Sequence, residues 1–174
     1  MTITARRAAA SIFALVAAWS TGASAADHPF SARFDWRSEG EIKQVWFHRE
    51  FHGRLLQTAP ITLDAGPALQ TLLEGIDIEC TADTSIGLPN WSVTTGLCTL
   101  SRANGAVTIE VIECAGTQKL CEGSWRIVSG TGDFARLSGS GTVEGHLVEP
   151  DPLPWLWNGP TSGFNILTGF ISIP

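Results

Sequence analysis

Apolar side chains in this sequence return at every second position, in short runs separated by glycine, proline and asparagine at intervals of about ten residues. In EIKQVWFHREF (41–51) the alternation groups Val45, Phe47 and Phe51 against Trp46, His48 and Glu50. In LLEGIDIEC (72–80) it groups Leu72, Ile76, Ile78 and Cys80 against Asp77 and Glu79, and in AVTIEVIE (106–113) it sets Val107, Ile109 and Val111 against Thr108 and Glu110. Successive side chains of a strand point to opposite faces, so this period specifies strands that are dry on one side and wet on the other. The expected strands are 31–38, 41–51, 53–62, 70–82, 92–102, 106–114, 123–129, 137–148 and 163–173. Asn104-Gly105 is a hairpin signal, and Asp64-Ala-Gly-Pro67, Gly87-Leu-Pro-Asn90 and the glycines around 130–132 supply further breaks. Beyond the N-terminus no window carries a helical stripe, although 65–73 has room for one helical turn. Such a chain is all-β. Eight or nine antiparallel strands fit a sandwich or a barrel. A single closed barrel of about eight strands is preferred, because closure leaves no exposed strand edge and turns alternate residues into a lumen.

Residues 1–25 have another character. Arg6 and Arg7 precede the apolar run AAASIFALVAAW, and Ala23 and Ala25 form an A-x-A pattern before Ala26. This is the organisation of a secretory signal peptide cut after Ala25. The run of about 12 apolar residues is short of the ~20 needed to span a bilayer. The expected plan is a signal over 1–25 and one barrel domain over 26–174, in which 149–162 is a loop rich in Pro and Trp. No later stretch is long enough for a membrane helix. The expected destination is the periplasm, the cell envelope or the exterior. The first 25 residues hold two Arg and no acid, so the remainder keeps nine bases against seventeen acids, a net −8. That balance argues against a nucleic-acid partner.

Cys80, Cys98, Cys114 and Cys121 fit two disulfides in an exported chain. Three pairings are possible; sequence neighbours, Cys80–Cys98 and Cys114–Cys121, are expected. No C-x-x-C pair or adjacent His supports zinc. His48 and His52 would stand about 13 Å apart on a strand, too far to share an ion, so they read as a surface row with Glu50. No metal and no cofactor is expected.

The segment Trp125–Gly145 (WRIVSGTGDFARLSGSGTVEG) is strand, glycine turn, strand. It resembles the G-x-G-x-F-x-x-x-x-G-x-G signature of the allene oxide cyclase and dirigent-like barrels, carried here by Gly130, Gly132, Phe134, Gly139 and Gly141. The close match covers about 20 residues and extends loosely back to Cys80. The resemblance implies a calycin-like barrel whose relatives bind or cyclise hydrophobic molecules in the lumen; it assigns no catalytic residue. Gly130 and Gly132 suit a turn needing positive φ, and Phe134 can pack back over a barrel end. A phosphate-gripping loop would need a helix after the glycines, and SGSGTVEGHLV reads as strand.

Parity extends the inward faces to charged residues. If Phe47 faces the lumen, so does Arg49; if Ile76 and Ile78 do, so does Glu74; if Val107, Ile109 and Val111 do, so does Glu113. These groups could orient a ligand in an apolar pocket, or reach solvent from strand ends. Trp125 reads as core first and ligand platform second, and Trp155 and Trp157 as a cap over the barrel. No G-x-S-x-G elbow is present, and no pair of carboxylates stands out. The expected function is binding of a small hydrophobic molecule in the lumen. The alternatives are a cyclase or isomerase acting on a hydrophobic substrate, and a structural or interaction module with a filled barrel.

Overall fold

The computed structural model describes residues 26–149 and 160–174. The strands are β1 (Ala26–Val45), β2 (His48–Gln57), β3 (Thr62–Ala65), β4 (Asp77–Gly87), β5 (Trp91–Arg102), β6 (Gly105–Gly116), β7 (Leu120–Gly130), β8 (Ser138–Glu149) and β9 (Ser162–Ile173), with one helix, α1 (Pro67–Leu73). Every pairing is antiparallel. The sheet runs β2-β4-β5-β6-β7-β8-β9-β1-β3, and β1 also pairs with β2, so eight strands close into a barrel as expected. β1 makes the closure possible through its length. Residues 26–37 pair with β9, and residues 36–45 pair with β2. β3 lies on the same side of β1 as β2, against Phe30–Arg33. The expected signal over 1–25 and the expected cap of Trp155 and Trp157 lie outside the described residues.

Alternation places the core. Phe30, Phe34 and Trp36 of β1, Ile78 and Cys80 of β4, Cys98 and Leu100 of β5, Val107 and Ile109 of β6, Trp125 of β7, Val143 of β8, and Leu167 and Ile171 of β9 are all buried on the inner face. Outward positions carry ion pairs: Arg33–Asp35, Arg37–Glu39, Arg54–Glu79 and Arg126–Glu110. The same outer wall carries exposed Leu97, Val128 and Phe170. No helix among the described residues is long and apolar enough to cross a membrane.

One end of the barrel is plugged. α1 opens with Gly66 and Pro67, where proline's missing N–H costs nothing, and buries Leu69 and Leu73 under the end. Phe134, in a 3₁₀ turn over Gly132–Phe134, is fully buried at the same end. Gly132 has φ +57 as expected. Gly130 has no positive φ; it is needed because a Cβ there would lie 2.0 Å from the Phe134 carbonyl oxygen. Gly139 and Gly141 line the inner face of β8. A Cβ on Gly141 would lie 1.9 Å from the Thr168 oxygen, and one on Gly169 would lie 3.0 Å from the Trp125 ring. The glycines of β8 and β9 thus leave room for Trp125, which stacks edge-on to Phe30 (5.4 Å) and donates from Nε1 to the Thr168 oxygen (3.1 Å).

Three expected strands are corrected. The segment 41–51 is the end of a hairpin: Val45 pairs with His48 across a turn at Trp46-Phe47. Trp46 takes φ +52 in a turn without glycine, asparagine or proline, so no turn chemistry announced it. Val45 and Phe51 therefore lie on opposite faces. The segment 70–82 begins as α1, and its strand starts at Asp77. The expected strand 53–62 likewise divides, between the end of β2 at Gln57 and the start of β3 at Thr62.

Candidate functional site

No described residue fills the other end of the lumen. A cavity of about 130 Å³ lies among β1, β2, β4 to β9 and the turn after β6. Small residues open it. Ala82 of β4 pairs with Gly53 on one side and Gly96 on the other. Gly53 and Gly40 are covered by the Phe51 ring, which would lie 2.5 Å and 2.8 Å from added Cβ atoms. Across the lumen Gly163 leaves space for Trp36, and Gly145 for Cys121 Sγ.

Both disulfides form part of the wall. Cys80 and Cys98 are direct partners across β4 and β5, and Cys114 and Cys121 join β6 to β7. The expected pairings hold. All four sulfurs face inward with Val111 and Val143, an apolar surface.

Several polar groups of the cavity pair with one another. Ser38 Oγ bonds Thr161 Oγ1 (2.8 Å) and accepts from the Thr161 N–H (2.9 Å). Thr84 Oγ1 meets Thr94 Oγ1 (2.9 Å), and Ser92 Oγ donates to the Thr117 oxygen (2.6 Å). Trp36 Nε1 donates to Asn165 Oδ1 (3.1 Å). Gln118 stands in the β6–β7 turn, where its backbone N–H donates to Asn90 Oδ1 (3.3 Å) and its side-chain Nε2 is buried without a partner. The described lining contains no Asp, Glu, Lys or Arg. Its one histidine, His146, stacks its ring on Phe164 (4.4 Å), itself covered by Arg33 (3.7 Å), on the outer side of the wall.

The residues singled out from sequence fall elsewhere. Phe47 is 83% exposed at the hairpin tip. Arg49 shares the face of Phe51, as parity required, but is not among the residues lining the cavity and donates from Nε to Gln44 Oε1 (3.0 Å). Glu74 is exposed at the C-cap of α1 rather than on a strand. Glu113 is exposed because a bulge between Val111 and Glu113 reverses the parity of β6 and turns Cys114 inward in its place. Ile76 and Ile78 are buried, and border a void of about 40 Å³ at the plugged end. Trp125 is core, only 1% exposed. The cavity residues Ser92 and Thr94 were within reach of parity counted from Cys98, and Asn165 within reach of parity from Leu167. Gln118, in a turn, carried no signal.

On the outer face His48, Glu50, His52 and Asp83 form a chain. Glu50 Oε1 is 3.0 Å from His48 Nε2, Glu50 Oε2 is 3.6 Å from His52 Nε2, and Asp83 Oδ1 is 2.5 Å from His52 Nδ1. The hydrogen bond with His48, ahead of that with His52, holds Glu50 below its ordinary value; the hydrogen bond with Asp83, ahead of that with Glu50, raises His52. Among the described residues no His, Cys, Asp and Glu group is arranged to hold a metal ion.

No protein-family model matches the chain, and a search of curated proteins finds no relative.

Proposed function

We propose that this is an exported barrel that binds a small, uncharged, largely apolar molecule in the open half of its lumen. The observation that carries this reading is a cavity of about 130 Å³ with no charged side chain among its described lining residues. An apolar cavity of roughly 150 Å³ holds a benzene-sized molecule, so the site suits one ring or a short branched chain. An ionised ligand would be stripped of water with no counter-charge to meet it. Binding is favoured over cyclisation because a proton-shuttling carboxylate has no candidate among the described lining residues. It is favoured over a purely structural role because the described residues pack the lumen at one end only. The signal-like N-terminus and the two disulfides support export, and the eight-strand closure with the Gly132–Phe134 turn supports kinship with the allene oxide cyclase and dirigent-like barrels.

Native mass spectrometry of protein purified from its own host tests the reading. A co-purifying neutral compound of this size, or uptake of benzene followed by methyl shifts at Val111 and Val143, is the expected result. Protein that carries nothing and leaves those methyls unmoved under benzene refutes it.

A further inference from the structure

The polar inventory of the cavity is unbalanced. The hydroxyls of Ser38 and Thr161 are committed to each other, as are those of Thr84 and Thr94, and that of Ser92 to the Thr117 carbonyl. Trp36 Nε1 can only donate, so Asn165 must turn Oδ1 toward it, which leaves the Asn165 Nδ2 free to donate elsewhere. Gln118 Nε2 is buried without a partner among the described residues. Both groups left over are N–H donors, and they belong to two residues that line the same cavity. A buried donor left without an acceptor is unfavourable, and such groups are uncommon in folded proteins. An occupant that brings an acceptor removes the imbalance. One that brings only donors, or no polar atom, does not.

We propose, building on the binding reading above, that the natural ligand carries a neutral acceptor oxygen (a ketone, aldehyde, ester or lactone) and that Gln118 is the residue that selects it, with Asn165 as a second donor. The ligand's hydrocarbon body rests on the disulfide sulfurs and on Val111 and Val143, and its carbonyl reaches the Gln118 amide.

Three probes of similar size test this: cyclohexanone, methylcyclohexane and cyclohexanecarboxylate. Affinities come from titration, and the ¹⁵N-labelled side-chain amides of Gln118 and Asn165 report the contact. Cyclohexanone is expected to bind about tenfold more tightly than methylcyclohexane and to shift the Gln118 amide, while the carboxylate binds weakly or not at all. Gln118→Leu is expected to lower ketone affinity to the hydrocarbon's level and leave hydrocarbon affinity intact. Equal affinities in the unsubstituted protein, an unmoved Gln118 amide, or a carboxylate that matches the ketone overturns the proposal while leaving a binding cavity. Retention of the ketone preference in Gln118→Leu overturns the role of Gln118. Failure of all three probes overturns the binding reading as well.

Discussion

Ala82→Leu separates a cavity kept for a ligand from a cavity left by imperfect packing. Ala82 is 6% exposed, faces the lumen and packs with Phe51, Leu55 and Ile86. Leucine there adds about three carbon atoms to the apolar wall, each worth ~0.8 kcal/mol when buried, or ~2.4 kcal/mol in all. Fixing the new side chain costs ~0.5–1 kcal/mol in rotamer freedom. The balance is a gain of ~1.5 kcal/mol, which in a chain of this size raises the melting temperature by about 3–6 °C. The same carbons occupy the space the ligand needs. Cyclohexanone at about 100 times its Kd should stabilise the unsubstituted protein by ~2.7 kcal/mol, and should leave Ala82→Leu unmoved. The assay is thermal unfolding of both proteins with and without the ketone. A variant that is less stable by ~1 kcal/mol or more refutes the free volume inferred beside Ala82. A variant that still gains the full ligand shift refutes the location of the site.

Three further outcomes follow from the packing. Trp125→Ala removes a buried ring, its edge contact with Phe30 and its bond to Thr168, and should cost ~3–5 kcal/mol in urea unfolding; a loss below ~1 kcal/mol would contradict the core assignment. Replacing both cysteines of Cys80–Cys98, 18 residues apart, should cost ~3 kcal/mol, and replacing both of Cys114–Cys121, 7 apart, ~2 kcal/mol, because the longer loop loses more denatured-state freedom; the reverse order in denaturation midpoints counts against that account. His52, raised above 6.5, stabilises fully below that value and loses its contribution as pH climbs through the raised value, whereas Glu50, lowered from 4.5, stabilises above 4.5 and loses its contribution as pH falls through the lowered value. His52→Asn should therefore flatten the alkaline decline in urea midpoint while the acid decline, carried mainly by Glu50 with His48, remains; an unchanged alkaline limb sinks the assignment.

What could be read from the sequence was whatever strand parity controls, and what escaped was whatever interrupts it. Val107 and Ile109 on β6 and the inner glycines of β8 follow from counting by two, and the disulfide partners from closeness in sequence. Glu113 does not, because one bulged residue shifts every later position of β6 to the other face. Phe47 and Val45 do not, because Trp46 turns the chain in a conformation its residue type disfavours. Glu74 was misplaced because Pro67 starts a helix too short to leave a stripe. Charged residues on inward faces carried the only chemical signal for a site, and the cavity is instead walled by hydroxyls, amides and sulfurs that recur throughout the chain. Ser92 and Thr94 share a face with Cys98, but nothing in composition marks a threonine as facing empty space. The open space borders Ala82 of β4 and Gly96 of β5, and only the register brings those positions together.

β1 and β9 are each other's neighbours although more than a hundred residues separate them, with Ala26 opposite Ile173. During synthesis one flank of β1 has no hydrogen-bonding companion until β9 emerges. Until then Phe30 and Phe34 lack Leu167 and Ile171, and a nascent chain presents a half-built sheet with its oily side bare. Closure of the barrel thus waits for β9, and a product cut short before it forfeits the seam that makes every other strand an interior one.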